Sequence, residues 1–259
     1  MRDLKPLCYL NAAKSNAREV LEAFAAGSGA EITTRLEYVP GRDAVFYGVD
    51  RASFGLWNDM RAARGRYWYI DNGYFRGKAT GGGYYRITRN RVQHDGSWVS
   101  DGMRWKALGL SIAPWREAGR HILIACQTSW WHERHGETVE DWVKGVRFSL
   151  LPHTARPIVV RHKPIHGHKE PALATQMKEC HAVVVHTSMV GAEALLAGVP
   201  VFTTFEDSCF VHVGHTLLSE IERPCMNDER EQWAKVLADN QWTLKEIATG
   251  IAWRALHRD

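Results

Sequence analysis

The amino-acid sequence predicts an α/β protein with parallel sheets in two lobes, and three observations support this prediction. Short apolar runs alternate with amphipathic stretches of helical spacing, most clearly in the C-terminal half. The apolar runs are continuous, which is typical of parallel strands that helices cover on both faces. The length of 259 residues suits one large domain or two small ones.

The sequence of the N-terminal half predicts helices and strands at irregular intervals. Helices are expected over 12–26 and 53–63, strands over 44–49 and 67–71, a glycine-rich loop over 77–83 and a β excursion over 84–101. Glycines at 27 and 29 end the first helix. The loop lacks the order G-x-x-x-x-G-K-[ST], so it predicts a mobile hairpin rather than the phosphate loop of an NTPase.

The C-terminal half predicts a regular alternation of strands and helices. Strands are expected over 122–126, 157–161, 182–186 and 199–202, and helices over 138–150, 171–180, 189–197 and 228–257. Thr138 is the expected N-cap of the first helix, with Asp141 at the third position after it. A boundary near 105–120 divides the chain into an N-terminal lobe, 1–115, and a C-terminal lobe with a helical tail, 116–259.

Composition excludes several classes of protein. Hydrophobic residues make up 45% and charged residues 24%, which excludes a disordered chain, and no apolar run approaches the ~20 residues that span a bilayer. No signal peptide opens the sequence, so we expect a cytoplasmic protein with no membrane partner. The five cysteines never form a C-x-x-C pair, which predicts reduced thiols.

The basic residues are concentrated in one stretch. Residues 61–120 contain twelve Lys or Arg and four Asp or Glu, while the whole chain carries a net charge of +4. Aromatic residues are interleaved with them: Tyr67, Trp68, Tyr69, Tyr74, Phe75, Tyr84, Tyr85, Trp98 and Trp105. This composition is typical of a surface that binds phosphates and stacks bases. The alternative is a solvated basic face over an aromatic core.

The most specific stretch runs from His186 to Val201. A strand ends at His186, and Thr187 and Ser188 open a helix whose N-terminus would lie at the carboxyl edge of the sheet. The two hydroxyls could donate to a phosphate, and the carboxylate of Glu193 could accept from ribose hydroxyls. The alternative is a capped helix with an incidental Glu. The run Gln127-Thr128-Ser129, after the first strand of this half, could add donors at the same edge, and an ordinary β–α loop is the alternative.

The run H-T-S-x-x-G-x-E-A-L-x-x-G-x-P-V at 186–201 resembles the nucleotide-sugar half of GT-B glycosyltransferases, especially capsule and Kdo-transferase-like members. The resemblance implies that Thr187 and Ser188 hold the donor phosphates beside His186, and that Glu193 serves the ribose or sugar. Residues 160–164 resemble the basic element of the same family, which implies donor contacts for Arg161 and Lys163. A GT-B-like fold with a trimmed N-terminal lobe is therefore expected.

The C-terminal stretch from Asp228 to Trp253 resembles uncharacterised bacteriophage and prophage proteins that have the same GT-B-like half. This resemblance spans most of the chain and implies the host cytoplasm as the location. With the basic N-terminal lobe, it points to DNA that carries a hydroxymethylated pyrimidine as the acceptor. Tyr74, Arg76, Arg89 and Arg91 are the predicted acceptor-binding residues, and a flipped base would be stacked by the aromatics.

Asp71 is the predicted catalytic base. It ends the strand over 67–71 and precedes Asn72-Gly73, and a carboxylate at a strand end beside a turn can take a proton from an acceptor hydroxyl. The alternative is a turn residue that bonds its own backbone. Asp95, Asp101 and Glu117 are weaker candidates for the base.

The predicted function is glycosyl transfer from a nucleotide-sugar co-substrate to a hydroxyl acceptor, with no bound cofactor and no metal. The histidines at 162, 166, 168, 212 and 215 lack a ligand order typical of metal sites. No G-x-S-x-G motif is present, which excludes the common serine-hydrolase pattern. A surface saccharide is the alternative acceptor, and a non-catalytic protein that binds a nucleotide or nucleic acid is the alternative class.

Overall fold

The structure is a computed structural model that describes residues 4–76, 83–96, 100–163 and 170–257. Strands are numbered along the chain as β1 Leu7–Tyr9, β2 Glu31–Thr33, β3 Ala44–Tyr47, β4 Tyr67–Asn72, β5 Tyr84–Arg89, β6 His121–Ala125, β7 Ile158–Arg161, β8 Cys180–Val185, β9 Val201–Thr203 and β10 Gln241–Thr243. Helices are α1 Ser15–Ser28, α2 Phe54–Ala62, α3 Met103–Leu108, α4 Ser129–Glu133, α5 Val139–Leu150, α6 Leu173–Met177, α7 Val190–Leu196, α8 Arg230–Asp239, α9 Leu244–Ala248 and α10 Ile251–Ala255.

The chain forms two compact units, each built on one sheet. The first unit comprises 1–94 and 237–259, and the second comprises 95–236. The predicted α/β class with parallel sheets in two lobes is confirmed. None of the described helices is both long enough and apolar enough to cross a membrane.

The first unit has a six-stranded sheet in the order β10-β5-β4-β3-β1-β2. Strands β2, β1, β3 and β4 are parallel, whereas β5 is antiparallel to β4 and β10 is antiparallel to β5. Apolar side chains of α1 pack on one face, where Leu21 and Phe24 join Trp68 and Trp242 in a buried core. This burial supplies most of the stability of such a layer, at about 25 cal/mol per Å² of apolar surface.

The tail differs from the expected helical end of the C-terminal lobe. Its strand β10 pairs with β5, so that Trp242 faces Tyr85 in register, and Trp242 and Ile247 are buried in the first unit's core. Helices α9 and α10 approach α1 so closely that a Cβ on Gly27 would lie 1.9 Å from the carbonyl oxygen of Ile247. Apolar burial therefore assigns the tail to the first unit, and the second unit begins at 95.

The second unit has a four-stranded, fully parallel sheet in the order β7-β6-β8-β9. Helix α5 covers it with Val139, Trp142, Val146 and Leu150, the apolar stripe that helical spacing predicts. The predicted cap is confirmed, since the Thr138 hydroxyl accepts a hydrogen bond from the backbone N–H of Asp141 at 3.0 Å. Such a cap stabilises a helix by about 1 kcal/mol.

The strands β1, β2 and β10 were not expected from the sequence. Each is three residues long, too short to show the alternation or the continuous apolar run that identifies a strand. Within the described part of the excursion expected over 84–101, residues 84–89 form a strand. All five cysteines are free, and burial raises the pKa of Cys8, Cys126 and Cys180 to about 12.

Candidate functional site

The second unit has a topological switch point between β6 and β8. The chain leaves β6 for β7 on one side and returns to β8 on the other, and ligands of open parallel sheets bind outside the carboxyl ends of two such strands. A side-chain hydrogen bond bridges this point, because Gln127 Nε2 donates to Thr187 Oγ1 at 2.9 Å. The two residues follow β6 and β8, so the bridge fixes both strand ends beside the crevice.

His186 lies next to this bridge and is buried. Trp131 Nε1 donates to His186 Nδ1 at 3.1 Å, which places the ring proton on Nε2, 3.8 Å from a carboxylate oxygen of Glu137. Burial lowers the pKa of His186 to about 3, with smaller contributions from the nearby His132, His135 and Arg134. The imidazole is therefore a neutral donor at ordinary pH.

Trp131, His135 and Phe205 pack against His186 and are called the aromatic wall. The Phe205 ring lies 4.8 Å from the His186 ring, and the Trp131 ring lies 4.7 Å from that of His135. Within the wall, Trp131 and Phe205 are half-buried and His135 is exposed to solvent. Such a wall can pack against a flat ligand and keep water from it.

Behind the wall, a fully buried histidine is held by the same carboxylate. His132 Nδ1 lies 3.0 Å from a carboxylate oxygen of Glu137, and the His132 ring packs 5.1 Å from the ring of Trp142. Glu137 thus contacts both His132 and His186, which orients the two imidazoles from one loop. Sequence reasoning missed Trp131 and Glu137, because nothing in the spacing of α4 and its following loop links them to His186.

The hydroxyl residues and Glu193 lie where the motif predicts. Thr187 and Ser188 are buried between β8 and α7, and Glu193 is exposed in the first turn of α7. Gly198 has a φ of 76°, and a Cβ there would lie 2.0 Å from the carbonyl oxygen of Pro114. Glycine is therefore required after α7, both by the left-handed backbone and by this close approach.

The two basic donor candidates lie at the carboxyl end of β7, where Arg161 is the last residue of the strand and Lys163 comes two residues later. Arg161 Nη1 donates to the carbonyl oxygen of Pro171 at 2.6 Å and also contacts the Gln176 amide oxygen. Lys163 is exposed. Because β6 lies between β7 and β8, the ends of these two strands, near Arg161 and Thr187, are separated by two strand spacings, or roughly 10 Å. The structure therefore brings the predicted donor residues to one edge of one sheet.

The first unit has its own switch point, between β1 and β3. The chain passes from β1 to β2 on one side and returns to β3 on the other. A second side-chain bridge lies here, because Asn11 Nδ2 donates to Asp50 Oδ2 at 2.9 Å. Although burial raises the pKa of Asp50, hydrogen bonds from Asn11 and Ser53 bring it below its ordinary value. The sequence did not predict this site, since β1 itself was not predicted.

Lys14 lies beside this second bridge, at the start of α1. Its Nζ donates to the backbone carbonyl of Tyr47 at 2.7 Å and lies 4.8 Å from the centre of the Tyr47 ring. Burial lowers the pKa of Lys14, while the carboxylates of Asp50 and Asp71 oppose that shift. Burial also raises the pKa of the Tyr47 hydroxyl to about 12, with a smaller contribution from Asp71.

Asp71 is the second-last residue of β4, the strand next to β3, and lies at the same edge of the sheet. Its Oδ2 accepts from Arg86 Nη2 at 2.7 Å, and its Oδ1 accepts from the backbone N–H of Asn72 at 2.8 Å. The second contact is a bond to the backbone of the next residue, which still belongs to β4, so it is not the turn contact of the alternative interpretation. The ion pair with the buried Arg86 was not expected, and it holds the carboxylate with a third of its surface exposed.

Most of the described aromatic residues of 61–120 lie in the cores of the units. Within the described residues of that stretch, the following side chains are buried in the units: Tyr67, Trp68, Tyr69, Tyr74, Phe75 and Trp105. Tyr84 and Tyr85 are half-buried, and Trp98 lies outside the described residues. The alternative of a basic face over an aromatic core fits this burial, and these six buried rings are not placed to stack a flipped base.

The predicted acceptor residues are dispersed. The prediction for Tyr74 is corrected, because its hydroxyl accepts from the backbone N–H of His94 at 2.6 Å and its ring is buried against Arg86. Arg89 pairs in register with Trp68, three residues before Asp71, and lies 3.7 Å from Asp43. Arg76 is exposed after β4 and Arg91 is half-buried. The structure therefore does not gather Arg89 with Asp71.

The remaining candidates are placed as follows. Asp101 is exposed, and its Oδ1 accepts from the backbone N–H of Met103 at the start of α3, while Asp95 is half-buried and Glu117 is exposed. All three belong to the second unit. The glycine-rich loop at 77–82 and the histidines at 166 and 168 lie outside the described residues. Within the described ranges, no group of three potential ligands is placed to hold a metal ion.

Comparisons with known proteins identify the fold. No protein-family model matches the sequence, and no curated protein sequence matches it. Among solved structures, the chain is similar to the β-Kdo 2,7 transferase of KpsC from Thermosulfurimonas dismutans, with a TM-score of 0.51 and 13% identity over 97% of this chain and 100% of that one. The β-Kdo 2,4 transferase of KpsC from the same organism matches with a TM-score of 0.49 and 12% identity over 89% of both chains. The chain thus has the two-lobed α/β fold of the 2,7 transferase.

Proposed function

We propose that the protein is a glycosyltransferase that moves a sugar from a nucleotide-sugar to a hydroxyl acceptor. The observation that carries the proposal is the switch point of the second unit, where the Gln127–Thr187 bridge adjoins a neutral, buried His186 and a half-open aromatic wall. Such a crevice offers hydroxyl and imidazole donors for phosphate oxygens and flat surfaces for a base.

On the donor side, the residues at this crevice have complementary roles. Thr187, Ser188 and the Nε2–H of His186 donate to the donor phosphates, and Arg161 and Lys163 neutralise the charge that develops on the leaving phosphate. Glu193, exposed on α7, accepts from the ribose or sugar hydroxyls. Protein cations and hydrogen-bond donors then do what a bound metal does in other transferases, so the proposal includes no metal and no bound cofactor.

On the acceptor side, we propose that Asp71 is the base. The acceptor hydroxyl gives its proton to Asp71, its oxygen forms a bond to the anomeric carbon, and the bond from that carbon to the phosphate oxygen breaks with its electron pair. Arg86 fixes the direction of the carboxylate, since it binds Oδ2 at 2.7 Å. The name of the structural neighbour, a β-Kdo transferase, makes a nucleotide-activated Kdo the first donor to test.

A saccharide is the acceptor that the structure favours. Six of the nine aromatic rings that would stack a flipped base are buried, and Arg89 pairs with Trp68, at the other end of β4 from Asp71. One observation still favours DNA with a hydroxymethylated pyrimidine, the acceptor that the sequence suggested: the excess of twelve basic over four acidic residues in 61–120. The two acceptors are therefore tested side by side.

The experiment is release of the nucleotide from a panel of nucleotide-sugars, with saccharides, hydroxymethylated DNA or water alone as acceptor. Mass spectrometry of the products identifies the acceptor. Release by the wild-type chain, accelerated by one acceptor, is the expected result. Binding of a donor without any release would support the non-catalytic alternative, a protein of this fold that only holds a nucleotide or nucleic acid.

Replacing Glu193 by Ala is expected to weaken donor binding by about 1–3 kcal/mol, the usual cost of losing a charged hydrogen-bond partner. Calorimetric titration of the donor measures this change. The matched control is Glu179→Ala, an exposed Glu that precedes β8 at the opposite edge of the same sheet and pairs with Arg120. Equal donor affinity in the two variants would contradict the proposed role of Glu193.

If DNA binds the basic residues of 61–120, the logarithm of its affinity should fall linearly with the logarithm of salt concentration, by about 0.9 per phosphate neutralised. Arg89→Ala or Arg91→Ala should then reduce the slope by about one unit for each phosphate that the variant no longer binds. Fluorescence anisotropy with labelled duplex measures both. Arg18→Ala, on the exposed side of α1, is the control. Salt-independent or absent binding at ~50 mM salt would remove the DNA acceptor.

A further inference from the structure

The lysine at the first unit's switch point has more donors than the protein uses. Lys14 Nζ carries three N–H groups. Among the residues that the structure describes, its one hydrogen-bond partner is the carbonyl oxygen of Tyr47, at 2.7 Å. Lys14 is only half-buried, so the two remaining N–H groups can reach a molecule that enters the crevice.

The charged and titratable groups around Lys14 come from four elements. Tyr47 on β3, Asp50 after β3 and Asp71 near the end of β4 act on Lys14 directly. Arg86 on β5 pairs with Asp71, and the ring of Tyr85 lies 6.0 Å from that of Tyr47. Asp50 is used by the protein itself, since it accepts from Asn11 and from both the backbone and the hydroxyl of Ser53. Asp71 is bonded at each oxygen once, so lone pairs remain on its exposed side.

Tyr47, which Lys14 binds, pairs with Ile70, the residue before Asp71, so this donor and this acceptor lie at one sheet edge and fit a hydroxyl group. An ammonium N–H can bind the oxygen of the hydroxyl, while a carboxylate oxygen accepts its hydrogen. Gly48, with a φ of 59°, directly follows β3 beside Lys14, and a Cβ there would lie 3.3 Å from Nζ. The glycine therefore leaves the ammonium room in its present position.

We propose that Lys14 is a second catalytic residue on the acceptor side, which binds the acceptor oxygen and stabilises the negative charge that forms on it as Asp71 takes the proton. This inference rests on the proposed glycosyl transfer. Lys14 keeps all its protons throughout. The acceptor proton goes to Asp71, and the freed electron pair of the oxygen forms the new bond to the anomeric carbon. The ligand is a hydroxyl group of a neutral or acidic saccharide, and water can take its place as the smallest acceptor.

The protonation state of Lys14 gives the proposal a distinctive signature. Burial lowers its pKa from the ordinary 10.5, so the ammonium is present below that lowered pKa and is lost as the pH rises through it. Transfer should therefore decline at alkaline pH in the wild type. Arginine keeps its charge over the whole range, so Lys14→Arg should retain a measurable rate and move the alkaline decline to higher pH.

The test measures nucleotide release with the donor that the wild-type chain consumes fastest and with its best acceptor, or with water where no acceptor accelerates release. Lys14→Met is expected to lower kcat by about 10²-fold, as for the loss of one donor to a developing oxyanion, with an unchanged donor dissociation constant. Lys5→Met, the same change at an exposed position of the same unit, should behave as the wild type. Thermal melting of each variant checks that it is folded.

The outcomes separate this inference from the proposed function. Release by the wild type, with Lys14→Met slowed and the alkaline decline displaced in Lys14→Arg, would support it. Equal kcat in Lys14→Met and Lys5→Met would overturn it and leave the glycosyltransferase standing, as would a pH profile in Lys14→Arg identical to that of the wild type. If the wild type releases nucleotide from no donor, the proposed function fails and this inference fails with it.

Discussion

An Asp71→Asn variant is expected to transfer sugar at least ~10²-fold more slowly than the wild type, the low end for loss of a general base. The amide can still accept from the backbone N–H of Asn72, but it cannot take a proton from the acceptor hydroxyl. The reduction should therefore fall on kcat, with little change in KM for donor and acceptor. Initial rates of nucleotide release at saturating donor and acceptor measure it.

The effect of losing the Asp71–Arg86 ion pair has to be distinguished from the effect of losing the base. Asp71→Asn removes a charged partner from a buried guanidinium, which also donates to the carbonyl oxygen of Asn72 at 2.7 Å, so some stability will be lost. Arg86→Met is the companion variant, because it breaks the same pair and keeps the carboxylate. Asp59→Asn, on the exposed face of α2, controls for the loss of a charge in the same unit. Near-normal kcat in folded Asp71→Asn would place the base elsewhere.

A Gly27→Ala variant is expected to destabilise the protein by about 1–3 kcal/mol, the usual cost of forcing one extra methyl into a packed interior. The new Cβ would lie 1.9 Å from the carbonyl oxygen of Ile247 and 2.9 Å from the backbone nitrogen of Gly250, so α1 and the tail would have to move apart. Backbone atoms on both sides leave no flexible side chain to yield. Chemical denaturation, read as a lower midpoint, measures the change.

Gly55→Ala is the matched control for this prediction. Gly55 is also a helix glycine of the first unit, in α2, and a Cβ there meets no atom within 4 Å. Helix propensity alone should make Gly55→Ala more stable, by up to ~1 kcal/mol. Opposite signs for the two variants are therefore expected, and a stabilised Gly27→Ala would refute the close packing of α1 against the tail.

The second unit was largely predictable from the sequence, for physical reasons that its residues make plain. Strand β8 is buried on both faces, and a continuous apolar run of this kind is stable only in the centre of a covered sheet. Helix α5 carries both an N-cap at Thr138 and an apolar stripe, so its local and tertiary preferences agree. The first unit was harder, because β1 and β2 have three residues each and β10 comes more than 150 residues after the strand it pairs with.

The candidate site was predictable in part, and the division has a clear cause. Thr187 and Glu193 lie on one continuous strand–turn–helix segment, and local helix geometry sets their distance in space from their separation in the sequence. The sequence alone could therefore identify them as a pair. Trp131 and His186 could not be identified in this way, since only the sheet brings them within 3.1 Å. Lys14 and Asp71 likewise belong to separate elements that only the sheet brings to one edge. For Tyr74, composition could not distinguish a ring that faces solvent from one in the core.

The split first unit has a consequence for how the protein is made. A ribosome releases 95–236, the whole second unit, before it releases the strand β10 and the helices α9 and α10 that complete the first. At about 5–20 residues per second, the earlier part of the first unit waits roughly ten to thirty seconds for that tail. During this time the edge of β5 is unpaired, and the face around Trp68 has the cover of α1 but lacks that of Trp242 and Ile247. The nascent chain therefore exposes part of a hydrophobic face to chaperones until 241–255 emerge.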